Sequence, residues 1–368
     1  MIDKALLAEK NLWRRLESTP LPIVMYGMGN GADKILDVLS EKGIAVSDFF
    51  ASDGFVRGHS FHEKRVLTLA EIEEKYKNFL ILLAFGSSLE PVMAEIYRLS
   101  ERYALLAPDV PVCGGELFDA DFYLSHAPEC ESVRTLLADE KSKAVFDDVL
   151  SYKLSGDVSY LRLADTPKHE AMTSLLSGSY TAYADLGAYK GDTVTETLTY
   201  FPSVHKIAAF EPSPKIFAKL RGCLSRLDSV ETAAFPLCAW NRHEIKSLTD
   251  GAGRNTSLSG VSGVTKTKSG AKIHECECDT LDARVSFSGE KLLIKYDVEG
   301  AEREALLGSV CTMQNNSTEL IVSLYHKSRD LFELPLLIHE LLPKHRLYLR
   351  KHPYIPAWDV NLYVCTPK

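Results

Sequence analysis

Four short stretches of this 368-residue chain carry residue types that could do chemistry. Asp185-Leu186-Gly187-Ala188-Tyr189-Lys190-Gly191-Asp192-Thr193 follows an apolar run and supplies glycines where a ligand must approach backbone. Ile207-Ala208-Ala209-Phe210-Glu211-Pro212-Ser213-Pro214 ends a second apolar run in a single acid, with Pro212 and Pro214 fixing the turn behind it. A third run delivers Asp297, Glu299 and Glu302, and a fourth delivers His326. A carboxylate at a strand tip can accept hydrogen bonds from a ribose diol. Carboxylates or an imidazole at neighbouring tips can take a proton from an acceptor hydroxyl.

These residues need elements that bring strand ends to one rim, and the second half of the chain has the required pattern. Strands are expected at Ala182–Leu186, Lys206–Phe210, Glu231–Phe235, Leu292–Tyr296 and Leu320–Leu324, alternating with helices. After a helix around Leu331–Leu342, His345–Lys351 and Asp359–Cys365 alternate apolar and polar residues, as a terminal antiparallel hairpin does. The polar stretch Gly251–Gly270 is expected to be a loop or irregular hairpin beside the site. A doubly wound sheet of this kind binds a nucleoside at its crevice. Asp185 directs the choice of ligand, because a carboxylate ahead of the glycines would repel a pyrophosphate. It suits the sulfonium and ammonium groups of S-adenosylmethionine. The expected cofactor contacts are Asp185, Gly187, Ala188, Tyr189, Gly191, Asp192, Thr193, Glu211, Pro212 and Ser213. For Asp192 and Thr193, capping of the following helix is the alternative, and for Thr193 it is an equal one.

The series resembles the FkbM family of S-adenosylmethionine-dependent methyltransferases. It rests on the two segments above, on Asp279-Thr280-Leu281-Asp282, on Ile294-Lys295-Tyr296-Asp297-Val298-Glu299-Gly300-Ala301-Glu302, and on Ser323-Leu324-Tyr325-His326-Lys327. The resemblance covers roughly Tyr180 to Cys365. It implies methyl transfer, most often to a hydroxyl of a sugar, glycan or natural product. Asp297, Glu299 and His326 are the candidates for the base, with His326 expected at an exposed rim and neutral near pH 7. Glu302 fits the first turn of a helix. No dedicated metal cluster is read from the sequence; Asp297, Glu299 and His326 could hold a divalent ion, but carboxylates and a histidine at strand tips serve acid-base roles equally well.

The first part of the chain also alternates strand and helix. A helix is expected over Lys4–Glu17, then strands at Leu21–Tyr26, Ile44–Ala51 and Phe79–Phe85, three in all. Gly27-x-Gly29-x-x-Ala32 with Asp53 beyond the second strand matches a dinucleotide fingerprint, but so short a unit lacks a second mononucleotide half. The expected organisation is a Rossmann-like α/β domain at 1–110, a helical connector and lid at 111–176, and a class I methyltransferase domain at 177–368. Within the connector, helices are expected over Glu116–Ala127 and Glu131–Leu154.

Composition narrows the function classes. A net charge of -8 argues against non-specific nucleic-acid binding. The longest apolar run, Phe79–Phe85, is far short of a membrane span. The N-terminus has no signal-peptide core, and the eight cysteines are scattered apart from Cys276 and Cys278, so a reduced, cytoplasmic protein is expected. The expected partner is a small-molecule or glycan acceptor, and the oligomeric state is left open. Two other readings stand beside methyl transfer: an NAD(P)-dependent sugar oxidoreductase built on the first domain, and a non-catalytic protein that binds a nucleotide-sugar or glycan.

Overall fold

A computed structural model describes residues 2–56, 58–111, 113–250, 256–259 and 272–367. The first unit is a sheet of six strands among these residues: β1 (Ile23–Tyr26), β2 (Asp48–Phe50), β3 (Ser60–Phe61), β4 (Lys64–Leu67), β5 (Leu80–Leu83) and β6 (Ala104–Leu106). Its order is β3-β4-β2-β1-β5-β6, parallel except for β3. The sequence reading finds only three of these strands. β4 is exposed over half its length, and β6 has three residues directly after a helix. Neither is long enough to show a period of two. The five parallel strands therefore form both halves of a doubly wound sheet, with the topological switch between β1 and β5.

The N-terminal helix is also two helices, Lys4–Leu7 and Leu12–Ser18. Asn11 divides them, its side-chain oxygen accepting from the backbone N–H groups of Trp13 and Arg14. Between the sheets lie helices Ala120–Ser125, Ala127–Leu136, Glu140–Ser155, Val158–Ala164 and Lys168–Ser174. The two helices expected here are shorter or divided, and the last two had no periodic signal strong enough to read. Asp139 restarts the chain into Glu140–Ser155 by accepting from Ser142 N–H. That longest helix is no free lid. It is buried for most of its length, and Ser142 Oγ accepts from Leu349 N–H at 3.0 Å.

The second unit contains β7 (Ala182–Leu186), β8 (Lys206–Phe210), β9 (Glu231–Phe235), β10 (Cys238–Ala239), β11 (Glu244–Asp250), β12 (Thr256–Ser259), β13 (Lys272–Asp279), β14 (Lys291–Tyr296), β15 (Ser317–Ser323), β16 (Arg346–Lys351) and β17 (Val360–Cys365). Seven of them form one sheet in the order β16-β17-β15-β14-β7-β8-β9. β17 alone runs opposite to the other six strands. β7, β8 and most of β14 are buried on both faces, which explains their nearly unbroken apolar sequences. β10–β13 make a small separate sheet. Of the stretch expected as a loop, Thr256–Ser259 pairs with β11, and 251–255 and 260–270 lie outside the described residues. Among the described residues no helix is long and apolar enough to cross a membrane.

The two units are bonded to each other. Ser87, just after β5, exchanges two backbone hydrogen bonds with Ile355, at 2.8 and 3.0 Å. Ile355 lies in the connection between β16 and β17, so a turn of the first sheet braces the edge hairpin of the second.

Candidate active site

A cavity of about 520 Å³ opens where β7, β8 and β14 end, on both sides of the switch between β7 and β14. Gly187 leaves β7 at φ 89°, and a Cβ there would lie 1.9 Å from the carbonyl oxygen of Asp297. Only glycine allows the two loops to meet. Tyr189 is also left-handed, at φ 47°, and borders the cavity, with the Lys190 ammonium 4.6 Å from its ring centre. Gly191 caps helix Asp192–Tyr200.

Asp185 is fully buried beneath this loop. Thr193 Oγ1 donates to one of its carboxylate oxygens at 2.5 Å, and Lys295 Nζ lies 3.4 Å from the other. Lys295 also lies 3.2 Å from Asp297 Oδ2. Burial pulls the Lys295 ammonium down, but the Asp185 and Asp297 carboxylates outweigh it and hold it above its ordinary value. Burial pushes Asp297 up, and Lys295 and His326 together bring it well below the usual carboxylate range. Tyr325 adds a hydrogen bond to Asp297 Oδ1 at 3.1 Å. Lysine in the middle of a buried strand is the signal that sequence reading passed over, since such a charge needs partners.

Glu211 directly follows β8, is 7% exposed, and borders the cavity with Pro212. Its Oε1 accepts from Ser213 N–H at 2.8 Å, which fixes the carboxylate's direction.

His326 is the main correction to the sequence reading. It is 1% exposed rather than open at the rim. Its Nδ1 lies 2.9 Å from Glu302 Oε1, and its Nε2 lies 3.5 Å from Asp297 and 3.6 Å from Glu299. The Glu302 approach is not aligned as a hydrogen bond, so it acts as an ion pair. Burial lowers the imidazole's affinity for protons, but Glu302, Asp297 and Glu299 more than reverse this and bring it to about 10. His326 is therefore an imidazolium near pH 7, not a free base. Glu302 opens helix Glu302–Leu307 as expected, and its Oε1 also accepts from Val298 N–H at 2.9 Å and Gly300 N–H at 3.4 Å. Ligand atoms of Asp297, Glu302 and His326 lie within 4.8 Å of one another, close enough to share a cation. A second such group, His243, Glu277 and Asp279, is bridged by Arg284, which reaches both carboxylates at 2.6 Å.

Of the expected contacts, Gly187, Tyr189, Asp192, Thr193, Glu211, Pro212, Asp297, Glu299 and His326 border the cavity. Asp185 acts through Thr193 and Lys295. Ala188 and Ser213 are buried and serve the loops, with Ala188 N–H donating to Phe210 O at 2.9 Å. A Cβ on Gly191 would meet Cys223 Sγ at 2.8 Å, so this glycine serves packing. Sequence reading also missed Tyr354, Trp358 and Asp359, which border the same cavity from the β16–β17 connection. Asp359 and Glu299 are both left-handed, at φ 60° and 55°.

Residues 185–356 match the methyltransferase FkbM domain family. This segment is an FkbM methyltransferase domain. The order β16-β17-β15-β14-β7-β8-β9 with β17 reversed is the class I methyltransferase sheet that the terminal hairpin led us to expect. The methyltransferase FkbM of Methylobacillus flagellatus aligns in structure over 98% of this chain and 92% of its own, with a TM-score of 0.70 and 16% identity. That likeness extends the shared fold to the first unit. Precorrin-6y C5,15-methyltransferase of Geobacter metallireducens covers 54% of this chain and 85% of its own, at 7% identity and a TM-score of 0.31. Human N-acetylserotonin methyltransferase, in complex with SAM, covers 68% and 70%, at 10% identity and a TM-score of 0.29. Among curated proteins no match was found.

Proposed function

We propose that this FkbM methyltransferase uses S-adenosylmethionine to methylate a hydroxyl of a sugar, glycan or related polyhydroxylated acceptor. The observation that carries the cofactor assignment is the pairing of Glu211 with the Gly187 loop across adjacent strand tips. Glu211 presents a fixed carboxylate for a ribose diol, and Gly187 keeps the backbone open beside it. The cavity volume is within the ordinary range for a cofactor-sized ligand, about 300–1,000 Å³.

When bound, the cofactor supplies an electrophilic methyl group on a sulfonium sulfur. The chain's part is alignment, exclusion of water and removal of one proton. Lys295 bridges Asp185 and Asp297 and so holds the two loops in register. Asp297, kept strongly acidic, is a hydrogen-bond anchor rather than a base. His326 enters as an imidazolium that orients Asp297 and Glu299. Glu299, half-buried on a strained loop at the cavity, is the group we assign to take the acceptor's proton.

The first sheet has the strand order of a dinucleotide-binding fold, but its crevice is closed. At the β1–β5 switch the free space is about 90 Å³, bounded by Pro356 and Trp358 of the second unit. This disfavours the oxidoreductase reading. Calorimetric titration of one sample with S-adenosylmethionine, S-adenosylhomocysteine and NAD tests the assignment. The first two are expected to bind and NAD is not. Binding of NAD without S-adenosylmethionine would overturn it.

A further inference from the structure

We infer that Tyr354, Trp358 and Asp359 form the acceptor subsite, that the first unit exists in part to hold them there, and that the subsite takes a saturated, hydroxylated ring by its apolar face. This rests on the methyltransferase reading above and names where its acceptor sits.

Three observations support it. First, the Tyr354 and Trp358 rings lie 5.3 Å apart at 36° and form a half-buried aromatic wall on the same cavity as Glu299. Aromatic rings give a large, rigid contact area, and the C–H face of a saturated ring packs on such a surface while its hydroxyls remain at the edge. Second, the polar group beside this wall is held at a cost. Asp359 is a non-glycine residue at φ 60°, with one carboxylate oxygen receiving Asn361 Nδ2–H at 2.7 Å. Strain of this kind persists where the surroundings enforce it, and it gathers at ligand clamps. The carboxylate is suited to accept hydrogen bonds from ring hydroxyls.

Third, the wall is braced by the first unit. Ser87 clamps Ile355 through two backbone hydrogen bonds. A Cβ on Gly86 would stand 3.0 Å from both the Trp358 and Tyr354 rings. Trp358 also closes the small crevice at the β1–β5 switch. The place where a dinucleotide would lie is thus occupied by the loop that presents the aromatic wall. Ser88 of the same turn reaches the main cavity.

The test uses the full chain saturated with S-adenosylhomocysteine and titrates a panel of methyl glycosides and the matching disaccharides, followed by calorimetry and tryptophan fluorescence. At least one glycoside is expected to bind saturably, and tighter binding of its disaccharide would mark the end of a glycan as the acceptor. Trp358→Ala is expected to weaken that binding at least tenfold. Gly86→Ala, a change in the first unit, is expected to weaken it at least threefold. S-adenosylhomocysteine affinity should stay within twofold in both, which also reports that the variants are folded. Failure of every glycoside to bind the cofactor-loaded wild type would overturn the inference, as would unchanged binding in both variants. Failure of S-adenosylhomocysteine itself to bind would overturn the function proposed above instead.

Discussion

Gly187 and Asp297 occupy space that a single added carbon would close: the Cβ position of one lies 1.9 Å from the carbonyl oxygen of the other. The loops after β7 and β14 therefore meet backbone to backbone. Gly187→Ala adds a steric collision to the cost of a left-handed L-residue. A loss of at least about 2 kcal/mol in stability is expected, together with loss of S-adenosylmethionine binding. Urea unfolding and a calorimetric titration check the two parts separately.

Lys295 stands between two carboxylates of which one, Asp185, is fully buried. Lys295→Met leaves that charge unpaired, and breaking such a pair costs on the order of 3–5 kcal/mol. Lys295→Met combined with Asp185→Asn should recover part of the loss, because the stranded charge is removed with its partner. Denaturant midpoints of the single and double variants decide this. A double variant less stable than the single would show that Lys295 acts through something other than Asp185.

The His326 cluster should be visible in the pH dependence of stability. The imidazole is raised to about 10 by the net effect of burial and the Glu302, Asp297 and Glu299 carboxylates, against about 6.5 in the unfolded chain. A raised histidine contributes its full stabilisation below the unfolded value and loses it as pH climbs to the folded one. Stability should therefore decline between about pH 6.5 and 10, and His326→Asn should flatten that decline. Asp330, pushed up to about 7 by burial and Glu302, gives the same sign at lower pH, between about 4 and 7. Lys295 and Tyr325 also border the cluster but are held protonated across this range. Melting temperature against pH for both proteins is the measurement.

Glu211→Ala should reduce S-adenosylmethionine affinity at least tenfold. Hydrogen bonds to a charged group are worth about 1.5–3 kcal/mol, and 1.4 kcal/mol is a factor of ten. Its Oε1 accepts from Ser213 N–H of its own loop, and circular dichroism of the variant reads the fold separately from the affinity. Calorimetry with S-adenosylmethionine reads the loss.

Glu299→Gln should lower turnover by about a hundredfold or more once an acceptor is in hand, with cofactor affinity nearly unchanged. His326→Gln should alter both together, since it removes the charge that orients two carboxylates. Comparable turnover in wild type and Glu299→Gln would return the base to Asp297 or to alignment alone.

The parts legible in the sequence were those with strong local signals. The expected spans of β7, β8 and β9 match the structure residue for residue; for β7 and β8 the reason is that parallel strands covered on both faces are written as continuous apolar runs, whereas β9 is a partly exposed edge strand. The first sheet leaves no clear signal in the sequence where its strands are short and half exposed, as at Lys64–Leu67. The burial of His326 is hidden from the sequence for a different reason. Its strand-end position is readable, but its burial depends on Glu302 and on Cys113, whose N–H approaches the His326 carbonyl at 3.5 Å. Tyr354, Trp358 and Asp359 gave no motif, because what brings them to the cavity is a contact with Ser87, far away in the chain.

The reversed strand β17 also imposes an order in time. β15 and β16 share no edge, and only Val360–Cys365 joins them. On a ribosome, which releases the chain from its N-terminal end, the first sheet has all its strands once Leu106 has emerged. The methyltransferase sheet cannot close until Cys365 has emerged, and Ile355 is held by Ser87 from a turn made long before. The first unit thus stands ready as a surface on which the last hairpin can settle.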